Sequence, residues 1–202
     1  MLNKGSLFII SGPSGSGKDT VLAEVFKRCP ELKFSISTIT RPMREGETEN
    51  GKYRFVSVEK FKEMIENDML LEHNNFVGNY YGTPKQYVVD NLNSGFDVVV
   101  EVDVNGAKQI REKMPEATSI FICPPSFEIL KSRLSARGTD SAEAVEKRLN
   151  ASLGEIKRAT EYDYIVVNDK LENTVDDVVA IIKTVGLKTQ KHLDFIDKII
   201  NR

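Results

Sequence analysis

The chain has 202 residues, of which 40% are hydrophobic and 29% are charged, and its formal net charge at pH 7 is −2. This length and composition are those of a globular protein with one sizeable core and room for small insertions. The slightly negative charge argues against a general nucleic-acid binder, because such domains carry a strong basic excess.

The positions of the cysteines and the hydropathy of the sequence narrow the class of protein further. Cys29 and Cys123 lie far apart in the sequence and show no CxxC spacing, which disfavours a zinc site or a disulfide framework and predicts free thiols in a reducing compartment. The sequence has no apolar run near 18 residues and no signal-peptide pattern at its N-terminus. We therefore expect a cytoplasmic protein that binds neither membranes nor nucleic acid.

The first predicted strand, LFIIS at residues 7–11, leads directly into the sequence GPSGSGKDT. Apolar residues at helical spacing follow this Gly-rich sequence. A strand, a Gly-rich GxxxxGK segment and a helix in this order predict a phosphate-binding loop, in which backbone N–H groups surround an anion and Lys18 adds a positive charge. The residues predicted to hold nucleotide phosphates are Gly12, Pro13, Ser14, Gly15, Ser16, Gly17, Lys18, Asp19 and Thr20.

The loop departs from the usual pattern at one position. A Ser or Thr normally follows the lysine and offers its hydroxyl to Mg²⁺, whereas this chain has Asp19 and only then Thr20. The residues alone leave three interpretations open: a working nucleotide site with an unusual metal ligand, a decayed site kept as a binding surface, or a chance run of glycines before a helix.

Three further apolar segments are predicted to be buried strands, at residues 97–104, 118–123 and 164–168. Helical segments separate them, which predicts a doubly wound parallel sheet. Glu101 and Asp103 stand at the end of the 97–104 segment. The carboxyl ends of parallel strands are where ligands bind in open α/β sheets, so these two acids are candidate site residues.

Residues 35–87 interrupt the strand–helix alternation and are predicted to form a small mixed insert. They are polar, with short strand-like pieces around a helix for which Ser57 is the expected N-cap. At the end of the insert, Pro84 is expected at the first position of another helix.

Residues 126–156 are charged and helical, and are predicted to form a mobile lid. Ser126 is the expected cap of the first lid helix, and Asp140 with Glu143 resembles a capping box for the second. Residues 1–34, 88–125 and 157–202 make up the predicted core. The tail at 191–202 is amphipathic, and we expect it to pack on the core or on a partner chain.

Six motifs occur in one order along the chain: GPSGSGKDT, SISTITRPMREGETENGKYRF, NYYGT, EVDVNG, RLSARGTD…EKRL and VND. Together they resemble the guanylate kinase family, over about residues 5–183. The resemblance implies a P-loop NTPase-type doubly wound parallel sheet with a mixed α/β GMP-binding insert and a helical lid. It also implies transfer of a phosphoryl group from ATP to GMP, with dGMP as an alternative acceptor and Mg²⁺ as cofactor.

The resemblance assigns a GMP site residue by residue. Its members in this chain are Ser37, Arg41, Arg44, Tyr53, Glu72, Tyr81, Thr83 and Asp103. The two arginines match residues that grip the GMP phosphate, for which the guanidinium fork is well suited, and the two tyrosines donate hydroxyls to the same phosphate. Ser37, Glu72 and Thr83 match the residues that read guanine. Asp103 matches a residue beside both the base and the metal.

The resemblance also assigns the groups that act on the transferring phosphoryl group. The implied catalytic residues are Lys18, Arg44, Arg133, Arg137 and Arg148, of which the last three come from the lid. Asn168 matches a residue near the adenine of ATP. Asp19 is the predicted Mg²⁺ ligand in place of the missing hydroxyl, since Mg²⁺ takes hard oxygen ligands and often one or two carboxylates.

Two other functions compete with this interpretation. One is a catalytically inactive guanylate kinase-like binding module, and the presence of Lys18 and the three lid arginines argues against it. The other is a kinase of a different small phosphorylated substrate, and the presence of the guanine-reading residues argues against that. We expect ATP and GMP as the partners of a monomer or a homodimer.

Overall fold

The described part of this computed structural model comprises residues 4–44, 46–49, 51–136 and 142–201. The strands are β1 (Leu7–Ser11), β2 (Lys33–Phe34), β3 (Ser37–Ile39), β4 (Tyr53–Phe55), β5 (Leu70–Phe76), β6 (Asn79–Pro84), β7 (Val98–Glu101), β8 (Thr118–Cys123) and β9 (Tyr164–Val167). The helices are α1 (Lys18–Arg28), α2 (Val58–Glu66), α3 (Lys85–Asn93), α4 (Val104–Lys113), α5 (Phe127–Ser135), α6 (Ala142–Lys157), α7 (Leu171–Gly186) and α8 (Leu193–Ile200), with 3₁₀ turns at Arg158–Glu161 and Thr189–Lys191. None of the helices described here has the length and apolarity needed to cross a membrane.

The core is a five-stranded sheet in the order β2-β7-β1-β8-β9, and every strand pair in it is parallel. Helices cover both faces. Phe8 and Ile10 of β1 pack in a cluster with apolar residues of α1 and α7, whereas Leu7 and Ile9 pack with residues of α3 and α4. A strand buried on both faces reads as a continuous apolar run, which is why LFIIS lacks alternation. The predicted doubly wound parallel sheet is confirmed.

The insert forms a second, mixed sheet in the order β4-β3-β6-β5. Strand β3 pairs parallel with β4 and antiparallel with β6, and β5 pairs antiparallel with β6. Helix α2 packs on this sheet through Phe61, whose fully buried ring stacks on Tyr80. The predicted N-cap of α2 is confirmed, because Ser57 Oγ accepts a hydrogen bond from the Lys60 amide at 3.2 Å. Strand β5 also packs against α4, which brings the insert onto the core.

The lid helices α5 and α6 pack through a small apolar cluster of Leu130, Leu134 and Leu149. The expected cap of α5 is confirmed, because Ser126 Oγ accepts a hydrogen bond from the Ile129 amide at 3.2 Å. Asp140, half of the expected capping box, and the predicted catalytic Arg137 both lie outside the described residues.

Two predicted element boundaries were wrong. Pro84 ends β6 with an extended backbone (φ −62°, ψ 121°), and α3 begins one residue later. The strand predicted at 97–104 ends at Glu101, because Asp103 already caps α4. Both errors lie where a strand passes into a helix within a few residues.

One burial prediction was also wrong, and one alternative of another is excluded. Strand β9 is the edge strand of the core sheet, and Ile165 and Val167 are 53% and 51% exposed, whereas only Val166 is buried. The tail was expected to pack on the core or on a partner chain. No residue of α8 is buried, so it does not pack on the core, and packing on a partner chain stays a prediction. The helices α1, α3, α4 and α7 already cover the two faces of the core sheet.

Candidate active site

The phosphate loop is held in place from behind by groups far away in the sequence. Asn168, directly after β9, donates from Nδ2 to the carbonyl of Ser16 at 2.7 Å. Arg133 of α5 donates to the same carbonyl at 3.3 Å and to the carbonyl of Asn168 at 3.0 Å. Gly17 has a φ of 87°, and a Cβ there would lie 2.4 Å from Asn168 Nδ2, so both backbone and space require glycine.

The loop ends on the N-terminus of α1, where backbone N–H groups favour an anion. Lys18, the first residue of the helix, donates from Nζ to the carbonyl of Gly12 at 2.7 Å and so folds back over the loop. Ser152 of α6 reaches the carbonyl of Ser14 at 3.3 Å, so the lid contacts the loop directly. The arrangement is that of a phosphate site.

A cleft of about 780 Å³ runs from this loop into the insert. The predicted site residues that line it are Gly12, Pro13, Ser14, Gly15, Gly17, Lys18, Asp19, Thr20, Ser37, Tyr53, Glu72, Tyr81, Asp103, Arg133 and Asn168. Five others lie beside it or away from it, namely Ser16, Arg41, Arg44, Thr83 and Arg148. The fold therefore brings together residues from five separate parts of the sequence: the phosphate loop, the insert, the segment after β7, the lid and the segment after β9.

Glu72 lies at the insert end of the cleft, on β5, and is only 5% exposed. Thr83 on the neighbouring strand donates its hydroxyl to Glu72 Oε1 at 2.7 Å. The first turn of α4 approaches the other oxygen so closely that a Cβ on Gly106 would lie 2.9 Å from Oε2. Burial raises the pKa of Glu72 to about 7 against the opposing hydrogen bond from Thr83, with a further contribution from the negative charge of Asp103.

Asp103 is fixed at the junction between the core and the insert. Its Oδ1 caps α4 by accepting hydrogen bonds from the amides of Asn105 and Gly106 at 2.9 and 2.8 Å. Its Oδ2 accepts a hydrogen bond from Asn74 Nδ2 of β5 at 2.8 Å. Asn74 lines the cleft but was not predicted as a site residue, because its neighbours His73 and Asn75 give the sequence no distinguishing pattern.

Arg41 is buried and already carries an anionic partner. Its two terminal nitrogens donate to the carboxylate of Glu47 at 2.7 and 2.5 Å, in the two-pronged geometry that also suits a phosphate. The Arg41 guanidinium, followed by the Arg44 backbone amide, lowers the pKa of Glu47 to about 2. The ring of Tyr53 lies under the guanidinium, 5.3 Å from centroid to carbon. The side chain of Arg44 is exposed.

Lys52 joins the loop, the core and the insert. Its Nζ lies 2.9 Å from Asp19 Oδ1 and 3.4 Å from Glu101 Oε2. The hydrogen bond from Lys52 lowers the pKa of Asp19, and burial raises the pKa of Glu101 while Lys52 opposes that rise. Sequence reasoning missed Lys52. The sequence contained one indication of such a lysine, namely Asp19. An extra carboxylate in a phosphate loop repels the phosphates unless a nearby cation balances its charge.

The donor set at this point fits a divalent cation bound together with a nucleotide. Asp19 and Glu101 converge on a single cation, the ammonium of Lys52. Within the described ranges, no three His, Cys, Asp or Glu side chains gather into a metal cage. Mg²⁺ is usually bound through one or two carboxylates plus substrate phosphates, so two carboxylates beside a phosphate loop suffice.

Glu155 of α6, like Asn74 and Lys52, is a cleft residue that the sequence did not reveal. Burial raises its pKa, and the positive charge of Lys18 opposes the shift, so the lid places a carboxyl group near the loop lysine. Nothing in the local sequence distinguishes Glu155 from the other acids of α6. Arg148 on the same helix is exposed.

Comparison with known proteins gives one consistent result. The guanylate kinase family model matches residues 4–185. The guanylate kinase of Oceanobacillus iheyensis is 46% identical over 188 residues, covering 93% of this chain and 91% of that protein. The guanylate kinase of Neisseria gonorrhoeae is 44% identical over 193 residues, covering 96% and 94%. The crystal structure of guanylate kinase from Anaplasma phagocytophilum superposes with a TM-score of 0.80 at 30% identity, covering 99% of this chain and 96% of that one.

Proposed function

Because this chain belongs to the guanylate kinase family and is thus an enzyme that phosphorylates GMP, we propose that ATP is its phosphoryl donor, that dGMP is an alternative acceptor and that Mg²⁺ assists the transfer. The observation that supports this best is the shared cleft of about 780 Å³, which the phosphate loop lines at one end and Glu72 at the other. Two nucleotides bound at these ends would point their phosphates toward each other.

Guanine would be read at the insert end. Its N1–H and N2–H groups are donors, and the carboxylate of Glu72 accepts both, while the Thr83 hydroxyl fixes the orientation of that carboxylate. Adenine offers a lone pair at N1 instead of a donor. A site built to pair with a donor rejects an analogue lacking it by about 10⁴- to 10⁵-fold, so AMP should be a very poor acceptor.

The GMP phosphate would lie between Arg41, Arg44, Tyr53 and Tyr81. Arg41 would exchange the Glu47 carboxylate for the phosphate, which offers the same pair of acceptor oxygens with more charge. A phosphate monoester is largely dianionic near pH 7, so its oxygen can attack the γ-phosphorus of ATP without a general base. The protein therefore has to position two polyanions and neutralise their charge.

Lys18 and the lid arginines would supply that neutralisation. Arg133 already contacts the phosphate loop, whereas Arg148 is exposed and would reach the cleft only when the lid closes. Closure would also exclude water, which otherwise accepts the phosphoryl group and wastes ATP.

Asp19 and Glu101 would hold Mg²⁺ at the loop. The ion would supply positive charge that offsets the negative charge of the ATP phosphates. Asp19 replaces the usual hydroxyl with a carboxylate oxygen, which Mg²⁺ accepts readily. The negative charge that Asp19 brings close to the phosphates is balanced in the nucleotide-free protein by Lys52.

A coupled assay of ADP release with purified protein tests this function. We expect rapid turnover with ATP plus GMP and almost none with ATP plus AMP. Lys18→Ala should lose nearly all activity with an unchanged melting curve. Tight GMP binding without ADP release would favour the inactive binding module, and comparable kcat/KM for AMP and GMP would reject the guanine site.

A further inference from the structure

Lys52 connects three elements that come from distant parts of the sequence. It precedes β4 in the insert, Asp19 lies in the first turn of α1, and Glu101 is the last residue of β7. The Lys52 ammonium lies 2.9 Å from an Asp19 oxygen and 3.4 Å from a Glu101 oxygen. All three side chains line the cleft. Glu101 is only 16% exposed, so the ion pairs reach from the edge of the cleft into its interior.

The two carboxylates need a cation at this point. Asp19 and Glu101 are close enough to repel each other, and both lie beside a loop that has to attract phosphates. Lys18, the lysine of the phosphate loop, directs its ammonium to the carbonyl of Gly12 at 2.7 Å. Among the described ion pairs, Lys52 is therefore the cation in direct contact with the carboxylate of Asp19.

We propose that Lys52 is a built-in counter-ion. Its ammonium occupies the position between Asp19 and Glu101 that a divalent cation would take when the nucleotide binds. It acts as a positioning residue: it keeps both carboxylates turned toward the cleft and prevents them from capturing a free metal ion. The inference rests on the proposed function only in taking Asp19 and Glu101 as the metal ligands.

A purely structural role is the competing explanation, and it predicts a different outcome. Exposed ion pairs contribute little to stability, and Lys52 and Asp19 are 47% and 72% exposed. Loss of the contact with Glu101, which is only 16% exposed, would lower the melting temperature if the role of Lys52 were purely structural. A Lys52 variant could melt normally and still bind cations or metal-free nucleotide with a different affinity. Such a change would come from the lost charge of the Lys52 ammonium and not from a change in the fold.

The first test measures binding of Mn²⁺ to the nucleotide-free protein by electron paramagnetic resonance. We expect Lys52→Gln to bind Mn²⁺ at least about tenfold more tightly than wild type, because an ammonium no longer competes at contact distance. Lys52→Arg keeps the charge and should bind as weakly as wild type. The double variant Asp19→Ser/Lys52→Gln should lose the gain, since one of the two carboxylates is gone.

A matched control uses Lys60, which forms an exposed ion pair of 2.7 Å with Glu63 on α2, away from the cleft. Lys60→Gln should bind Mn²⁺ as wild type does. The second test measures the affinity for a non-hydrolysable ATP analogue in EDTA. Lys52→Gln should bind it more weakly, because the carboxylate of Asp19 then faces the phosphates without a counter-ion, and adding Asp19→Ser should restore the affinity.

Two results would overturn the inference. One is a Mn²⁺ affinity of Lys52→Gln equal to that of wild type, and the other is a gain that persists in the double variant. Neither measurement depends on turnover, so failure of the inference is distinguishable from failure of the proposed function. A wild-type protein that phosphorylates GMP with Mg²⁺–ATP, together with an unchanged Mn²⁺ affinity in Lys52→Gln, would reject the counter-ion role alone.

Discussion

The carboxyl group of Glu72 has to satisfy two opposing conditions. The proposed role in reading guanine requires it to be shielded from water, and this burial raises its pKa to about 7. The folded protein therefore retains a proton that the unfolded chain, with a pKa of 4.5, releases. Stability consequently falls as the pH rises from about 4.5 to 7, and the deficit is complete above pH 7.

Replacement of Glu72 by Gln should therefore stabilise the protein at alkaline pH. Gln keeps an acceptor for the Thr83 hydroxyl but carries no charge, so the variant should exceed wild type by up to about 3 kcal/mol at pH 8 and by little at pH 5. Urea unfolding at both pH values measures this. The same stability difference at pH 5 and pH 8 would contradict the buried-charge explanation.

Asp19 provides a second test at the scale of single residues. Asp19→Ala removes an oxygen ligand and should need more Mg²⁺ to reach half-maximal rate, whereas Asp19→Ser restores the usual hydroxyl and should stay active. A Mg²⁺ titration at fixed ATP and GMP compares the variants. If the Asp19→Ala curve overlays that of wild type, Asp19 is not a metal ligand.

At the scale of elements, the phosphate loop depends on the end of β9. The side chain of Asn168 supports the loop through Ser16 and accepts a hydrogen bond from Thr174 at the start of α7. Asn168 was predicted to lie near adenine. It lines the cleft, and its described hydrogen bonds also support a positioning role for the loop.

Asn168→Ala should cost about 1 to 3 kcal/mol of stability, because buried hydrogen-bonding groups lose their partner. It should also weaken ATP-analogue binding, since the loop is no longer held. Urea unfolding and calorimetric titration measure the two effects. Asn67→Ala is the matched control: it removes an exposed side-chain bond to a backbone carbonyl at the end of α2, so nucleotide affinity should not change. Equal effects of both variants would contradict this role.

Prediction of elements succeeded where the signal was local and failed where it was not. The caps at Ser57 and Ser126 form within three residues, so the sequence is sufficient to identify them. The exposure of β9 and α8 depends on which neighbours cover them, and an apolar residue looks the same in a buried strand and in an edge strand.

At the scale of the whole molecule, the predicted catalytic groups do not all line the cleft. Arg133 contacts the phosphate loop, but Arg148 is exposed and does not line the cleft. Glu47 still holds Arg41. Closure of the lid and insert over two bound nucleotides would bring the remaining charges together.

Binding of GMP together with a non-hydrolysable ATP analogue should therefore reduce the radius of gyration, and either nucleotide alone should reduce it less. Small-angle X-ray scattering measures the change. Lys18→Ala, which weakens the phosphate site, is the control and should respond less to the pair. A radius that stays constant with both nucleotides would show that the described arrangement is already the catalytic one.

The sequence by itself determined the family, the parallel core sheet and the phosphate loop, because these follow from contiguous motifs and from runs of apolar residues. It also indicated most of the residues that line the cleft. Only the tertiary structure decided which charges meet: Lys52 with Asp19 and Glu101, and Arg41 with Glu47. Ion pairs are set by distances of a few ångströms, whether the partners come from remote segments, as Lys52, Asp19 and Glu101 do, or are six residues apart, as Arg41 and Glu47 are. The order of residues along the chain does not encode those distances directly.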